Sequence, residues 1–108
     1  MANHKLIVFT NPQAGREQEF RDWYVDTHLG EVANLDGFIS GQLFTLATPV
    51  AEGGHRHMAV YEIEEGRLGE AQQALGGALK GGTLNMTDAF GPGQAALWWQ
   101  EEAPVVSR

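Results

Sequence analysis

His28 follows Tyr24 by four residues and precedes Glu31 by three. On a helix those steps set the three side chains within a turn of one another. An imidazole titrates near about pH 6.5, so it can take or give a proton at neutral pH. Tyr24 can share that proton or orient a phenolic or carbonyl oxygen, and Glu31 can fix the imidazole ring. The bland alternative is a helix-end histidine satisfied by a backbone carbonyl, with Glu31 at the surface.

The other residues with chemical character are aromatic. Trp23, Phe44, Tyr61, Trp98 and Trp99 can line a flat apolar cavity fit for an aromatic or polycyclic ligand, or can simply fill a core and an interface. Trp98 and Trp99 are adjacent, so on a strand they point to opposite faces. His55 and His57 form an H-x-H step without a carboxylate or cysteine nearby, which reads as two solvated histidines rather than a metal site. His28 and Glu31 have H-x-x-E spacing but no third ligand with any spacing signal, so no metal is expected. No G-x-S-x-G elbow and no phosphate-binding glycine loop occurs.

The elements that must position these groups follow from the apolar pattern. Lys5 to Thr10 (KLIVFT) is a β-branched strand ended by Asn11-Pro12. Arg16 to Thr27 has helical spacing, with Phe20, Trp23, Tyr24, Thr27 and Glu31 near one face and a short turn continuing through Asn34. Glu17 and Glu19 suit the positive end of the helix dipole, and Asp36-Gly37 stops the segment. Phe38 to Ala47 is the second strand, with Phe38, Ser40, Gln42, Phe44 and Leu46 on one side. His57 to Glu64 is the third. Arg67 to Lys80 is the second helix, ended by Gly81-Gly82. Its Gly76-Gly77 pair suggests a close helix-to-sheet contact. Thr83 to Gly93 is a long connection carrying Asn85, Asp88 and Phe90, with turn capping the expected role of Asn85 and Asp88. Gln94 to Gln100 is the last strand.

The order β-α-β-β-α-β is the ferredoxin-like split pattern, a four-stranded antiparallel α+β sheet with both helices on one face. The strands carry apolar residues on both alternations, so the face without helices needs a cover. A second copy of the chain supplies one, and a two-fold homodimer through the sheet is expected.

The run N-P-x-x-G-R-E-x-E-F-x-x-W-Y-x-x-x-H-x-x-E-V, followed by G-F-x-S-x-Q, resembles the EthD-like branch of the dimeric α+β barrel superfamily. The resemblance spans about Leu6 to Trp99, and its most specific part lies around Trp23, Tyr24, His28 and Glu31. The family usually has proline where Gly30 stands. The resemblance implies a pocket between helices and sheet with His28 in it. It also points to chemistry on ethers, aromatics or polycyclic phenols.

Composition narrows the partners. The chain has 108 residues, 7 Lys and Arg against 14 Asp and Glu, a net charge of −7 and no cysteine. One domain, residues 1–100, with a loosely held tail from Glu101 to Arg108, fits this length. The acidic balance disfavours nucleic acid and anionic membranes. No disulfide or thiolate site can form. No apolar run approaches a membrane span, and the N-terminus does not read as a signal peptide, so a cytoplasmic protein is expected.

These lines converge on a small cofactor-independent enzyme acting on an aromatic or polyketide-like molecule. His28 would move a proton in a dehydration, decarboxylation, cyclisation or isomerisation. Tyr24 would bind the substrate oxygen, with Trp23, Glu31, Phe44, Tyr61, Trp98 and Trp99 around the substrate. The alternatives are a non-catalytic binding protein for an apolar metabolite and a haem-binding barrel.

Overall fold

The computed structural model describes residues 3–108. Strand β1 (His4–Thr10) leads into one continuous helical rod. The rod comprises α1 (Glu17–Trp23), a π-helical turn (Tyr24–His28) and α2 (Leu29–Ala33). Strands β2 (Phe38–Thr45) and β3 (His57–Ile63) follow, then α3 (Leu68–Gly81) and β4 (Ala95–Gln100). The sheet order is β2-β3-β1-β4 and every pairing is antiparallel. This is the expected ferredoxin-like α+β architecture, with β1 and β3 central because both helical crossovers return over them.

Register fixes which residues face the helices. Leu6 pairs with Tyr61 on one side and Trp98 on the other, and Tyr61 pairs with Gly41. These residues therefore share a face, and the core of Leu6, Phe20, Tyr24, Val32, Phe38, Ala59, Tyr61 and Ile63 lies between them and the helical layer. The opposite face carries Ile7, Phe9, Met58, Val60, Phe44, Leu97 and Trp99.

Two expectations change here. A bulge between Phe38 and Ser40 shifts the register of β2. Phe38 therefore faces the helices together with Gly41, Leu43 and Thr45, whereas Phe44 points the other way, because one extra residue inverts the alternation. The Gly76-Gly77 pair also has a different setting: a Cβ on either glycine would meet open space. The close approaches are at Gly37 and Gly41. A Cβ on Gly37 (φ +87°) would lie 2.8 Å from the Ala71 nitrogen, so this glycine lets α3 rest on the sheet. A Cβ on Gly41 would lie 2.9 Å from the Tyr61 ring and 3.3 Å from the Leu29 carbonyl oxygen.

The connection after α3 folds back on the first loop. Pro12 and Phe90 form an isolated antiparallel bridge, Gln13 N–H donates to the Ala89 carbonyl (2.6 Å), and Gly91 N–H to that of Asn11 (2.7 Å). Arg16 reaches Asp88 (2.6 Å) across the same seam. Residues 101–108 have no helix or strand and are exposed. Among the described residues no helix is long and apolar enough to cross a membrane.

Candidate active site

The helical rod is regular up to Trp23, after which one turn widens over Tyr24–His28. On a regular helix residues five apart point about 140° away from each other. The wider π turn brings them together. The Trp23 and His28 rings stack with centres 4.4 Å apart and planes 21° from parallel. Tyr24 meets His28 edge-on at 5.3 Å and 84°. Phe20 and Phe90 pack their rings on the other sides of Trp23, at 5.9 and 5.2 Å. π turns of this kind recur at functional positions in helices.

Beneath the turn lies a group of buried polar atoms. Tyr24 is 1 % exposed, Tyr61 1 % and Thr10 0 %. The Tyr61 and Thr10 hydroxyls approach the Tyr24 phenol, yet Tyr61 Oη, Thr10 Oγ1 and His28 Nδ1 are buried with no partner in hydrogen-bond geometry. An unsatisfied buried polar atom costs about 1–3 kcal/mol, so the two hydroxyls beside the Tyr24 phenol and the His28 nitrogen one turn further on each call for a partner.

Burial sets the protonation of this group. It pushes the Tyr24 phenol up to about 12, with the Tyr61 and Thr10 hydroxyls pulling the other way, and it drives Tyr61 well above the ordinary phenol value. Both stay neutral hydrogen-bond donors at physiological pH. Burial lowers the His28 pKa against the opposing pull of Glu31. The result is a neutral imidazole beside protonated phenols, a base next to acids too weak to lose their own protons.

Asn85 ties the outer loop to this group. Its N–H and Nδ2 donate to the two Glu31 carboxylate oxygens (3.0 and 2.7 Å). Its carbonyl accepts from Trp23 Nε1 (2.6 Å). Asn85 therefore latches α2 to α1, where turn capping was the expected role. Asp88 serves Arg16. Gly30 lies inside the rod, its carbonyl accepting from Asn34 N–H (3.1 Å) and Nδ2 (2.7 Å).

The expected site residues divide into two sets. His28, Tyr24, Trp23, Glu31 and Tyr61 come together. Trp98 shares their face one ring further out, 6.3 Å from Phe38, which meets Tyr61 edge-on at 6.2 Å. Phe44 and Trp99 do not join: both lie on the uncovered face, 41 % and 48 % exposed. The two loop histidines are not solvated as expected. His57 is 7 % exposed and stacks obliquely under Phe20 at 5.6 Å, and His55 Nε2 lies against the Gly93 carbonyl. The burial of His57 is legible in its strand, since it alternates in step with Ala59, Tyr61 and Ile63. Thr10 carried no signal of its role. Among the described residues no three His, Asp or Glu side chains gather closely enough to hold a metal ion.

No protein-family model matches the chain, and no curated protein matches it at a significant level. Solved structures do. A protein of the ethyl tert-butyl ether D (EthD) family from Bacillus halodurans superposes with a TM-score of 0.55 at 18 % identity, over 92 % of this chain and 98 % of that one. The chain has the fold of the EthD-like proteins. The haem degrader MhuD of Mycobacterium tuberculosis, solved with two haems in its active site, superposes with a TM-score of 0.65 at 21 % identity, over 95 % and 99 % of the two chains. A monooxygenase from the ActVA-Orf6 gene of Streptomyces coelicolor, solved with nanaomycin D, gives 0.51 at 11 % identity, over 99 % and 93 %. At these identities the likeness is one of fold.

Proposed function

We propose that the chain is a small-molecule enzyme whose chemistry starts with His28 taking a proton from an aromatic or polyketide-like substrate. The proton would leave a carbon or oxygen next to a carbonyl or phenol. The Tyr24 phenol would hydrogen-bond the oxygen that gains charge, and Trp23 and Trp98 would flank the ring. The supporting observation is the buried, unpartnered His28 Nδ1 on a ring packed edge-on against Tyr24, with a depressed imidazole pKa that leaves the base free at neutral pH.

The anion made in this step has several fates. Reprotonation elsewhere gives isomerisation, and expulsion of a hydroxide from the neighbouring carbon, which leaves with a proton as water, gives dehydration. The monooxygenase among the similar structures favours a third. There dioxygen takes the electrons, so that a ring CH2 and O2 become C=O and H2O. All three need the same base and no metal-bound intermediate.

The open sheet face fits a second copy of the chain. Phe44, Leu97 and Trp99 are each more than two-fifths exposed there, beside half-buried Ile7, Phe9, Met58 and Val60. A homodimer would bury them.

The experiment is a panel of polycyclic phenols and ketones, assayed for product and for oxygen uptake, with His28→Ala as the control. Loss of a general base is worth about 10²–10⁴-fold in rate, and turnover that survives His28→Ala would remove this reading. Haem binding is the second reading, because an unpaired neutral imidazole nitrogen is what iron requires and because of the likeness to the haem-bound MhuD. A Soret band on haem titration, absent in His28→Ala, would favour it. A bound metabolite recovered chemically unchanged would favour a carrier.

A further inference from the structure

At the end of the sheet where Thr45 pairs with His57, a cavity of about 220 Å³ opens beneath α1. Its walls include Glu17, Gln18 and Arg21 of α1 together with Thr45, Arg56 and His57. The chain has only 7 Lys and Arg against 14 acids, yet two of its arginines meet here.

Neither arginine is well neutralised. Arg56 forms no ion pair among the described residues, and Arg21 has only its neighbour Asp22, at 3.6 Å with both side chains more than half exposed. Glu17, the acid in the wall, turns its carboxylate to the Gly15 N–H (3.0 Å). The surplus is felt by the 7 %-exposed His57. Burial holds its pKa low, and then Arg56 and Arg21 add to the effect against the Phe44 backbone. Thr45 Oγ1 meets its Nδ1 at 3.2 Å.

The Arg56 main chain is held on both sides. Its N–H donates to Asn11 Oδ1 (2.8 Å), and its carbonyl accepts from Leu46 N–H (2.8 Å). The guanidinium therefore springs from a fixed point.

We propose that this corner binds a small organic carboxylate, with Arg56 and Arg21 holding the acid beneath α1. A guanidinium fork matches a carboxylate in shape and charge. The proposal does not rest on the role assigned to His28, and its test reads binding alone.

Benzoate and its neutral isostere benzamide are titrated into the protein, followed by calorimetry and by the ring resonances of His57. Benzoate is expected to bind, to raise the His57 midpoint because an anion favours the imidazolium, and to weaken with added salt. Benzamide, and benzoate with Arg56→Gln, should each bind about tenfold or more weakly, since a charge-assisted hydrogen bond is worth at least that. Arg56 and Arg21 are both exposed, so Arg56→Gln and the second variant Arg21→Gln should fold. Equal binding of benzoate and benzamide would overturn the proposal. So would undiminished benzoate binding in both variants, or no benzoate binding at millimolar concentration.

Discussion

Trp23 and His28 lie face to face at 4.4 Å although five residues separate them in one helical rod. The π turn makes that contact, and the contact hides one face of the imidazole while Tyr24 closes an edge. Its consequence is electrical. A ring packed this way is poorly hydrated, and the neutral form is favoured.

The His28 and His57 pKa values are both lowered, with burial as the first cause in each. In the unfolded chain both return toward about 6.5. Between the folded and unfolded values the unfolded state binds more protons, so stability rises with pH there. It is fully kept above the unfolded value and falls as pH drops below it. Proton NMR should therefore find both ring midpoints below 6.5, and denaturant melts should weaken from pH 7 to pH 5. A midpoint at or above the unfolded value for His28 would mean its ring is solvated.

Glu31 raises the His28 pKa while its carboxylate is held by Asn85. Glu31→Gln removes the charge and keeps the shape. The His28 midpoint should move further down, and the latch should lose about 1 kcal/mol, the usual worth of a partly exposed hydrogen bond. Measuring both in one variant separates charge from packing, because Asn85→Ala should loosen the latch while leaving Glu31 charged.

Gly76 and Gly77 sit exposed in α3 with open space where a Cβ would go. Alanine at either position should stabilise the fold by about 0.5–1 kcal/mol, from better helix propensity and a less floppy unfolded chain. Gly41→Ala should do the reverse. Its Cβ meets the Tyr61 ring at 2.9 Å, and overpacking of this kind costs about 1–3 kcal/mol. Thermal melts of the three variants make the comparison directly.

The contrast between those glycines shows what the sequence could tell. Strand alternation and the 3.6-residue period placed every strand and helix, because each element buries one stripe. The same period placed Tyr24 and His28 together. It could not place Trp23 on His28, since a widened turn leaves no mark in residue spacing. The bulge at Phe38/Ser40 likewise adds a residue to one strand without any residue type announcing it, and it sent Phe44 to the uncovered face. Thr10 and Asn85 reach the site through contacts between elements far apart in sequence, which a local pattern does not encode.

That uncovered face carries the last prediction. Phe44, Leu97 and Trp99 are exposed on it, a concentration of large apolar side chains beyond the scattered ones an ordinary surface tolerates. A sheet face of this kind packs on another at about 10 Å with side chains interdigitated. Two copies meeting through it form an isologous contact, so each substitution acts twice. Wild-type protein should sediment at twice the 11.8 kDa chain mass. Leu97→Lys with Trp99→Lys should give the single mass, because four cations would then meet across the two-fold axis. The Trp23–His28 stack lies on the other side of the sheet, so the His28 midpoint should stay where it is in the double variant. A wild-type chain that sediments as a monomer at micromolar concentration would leave this face to some other partner.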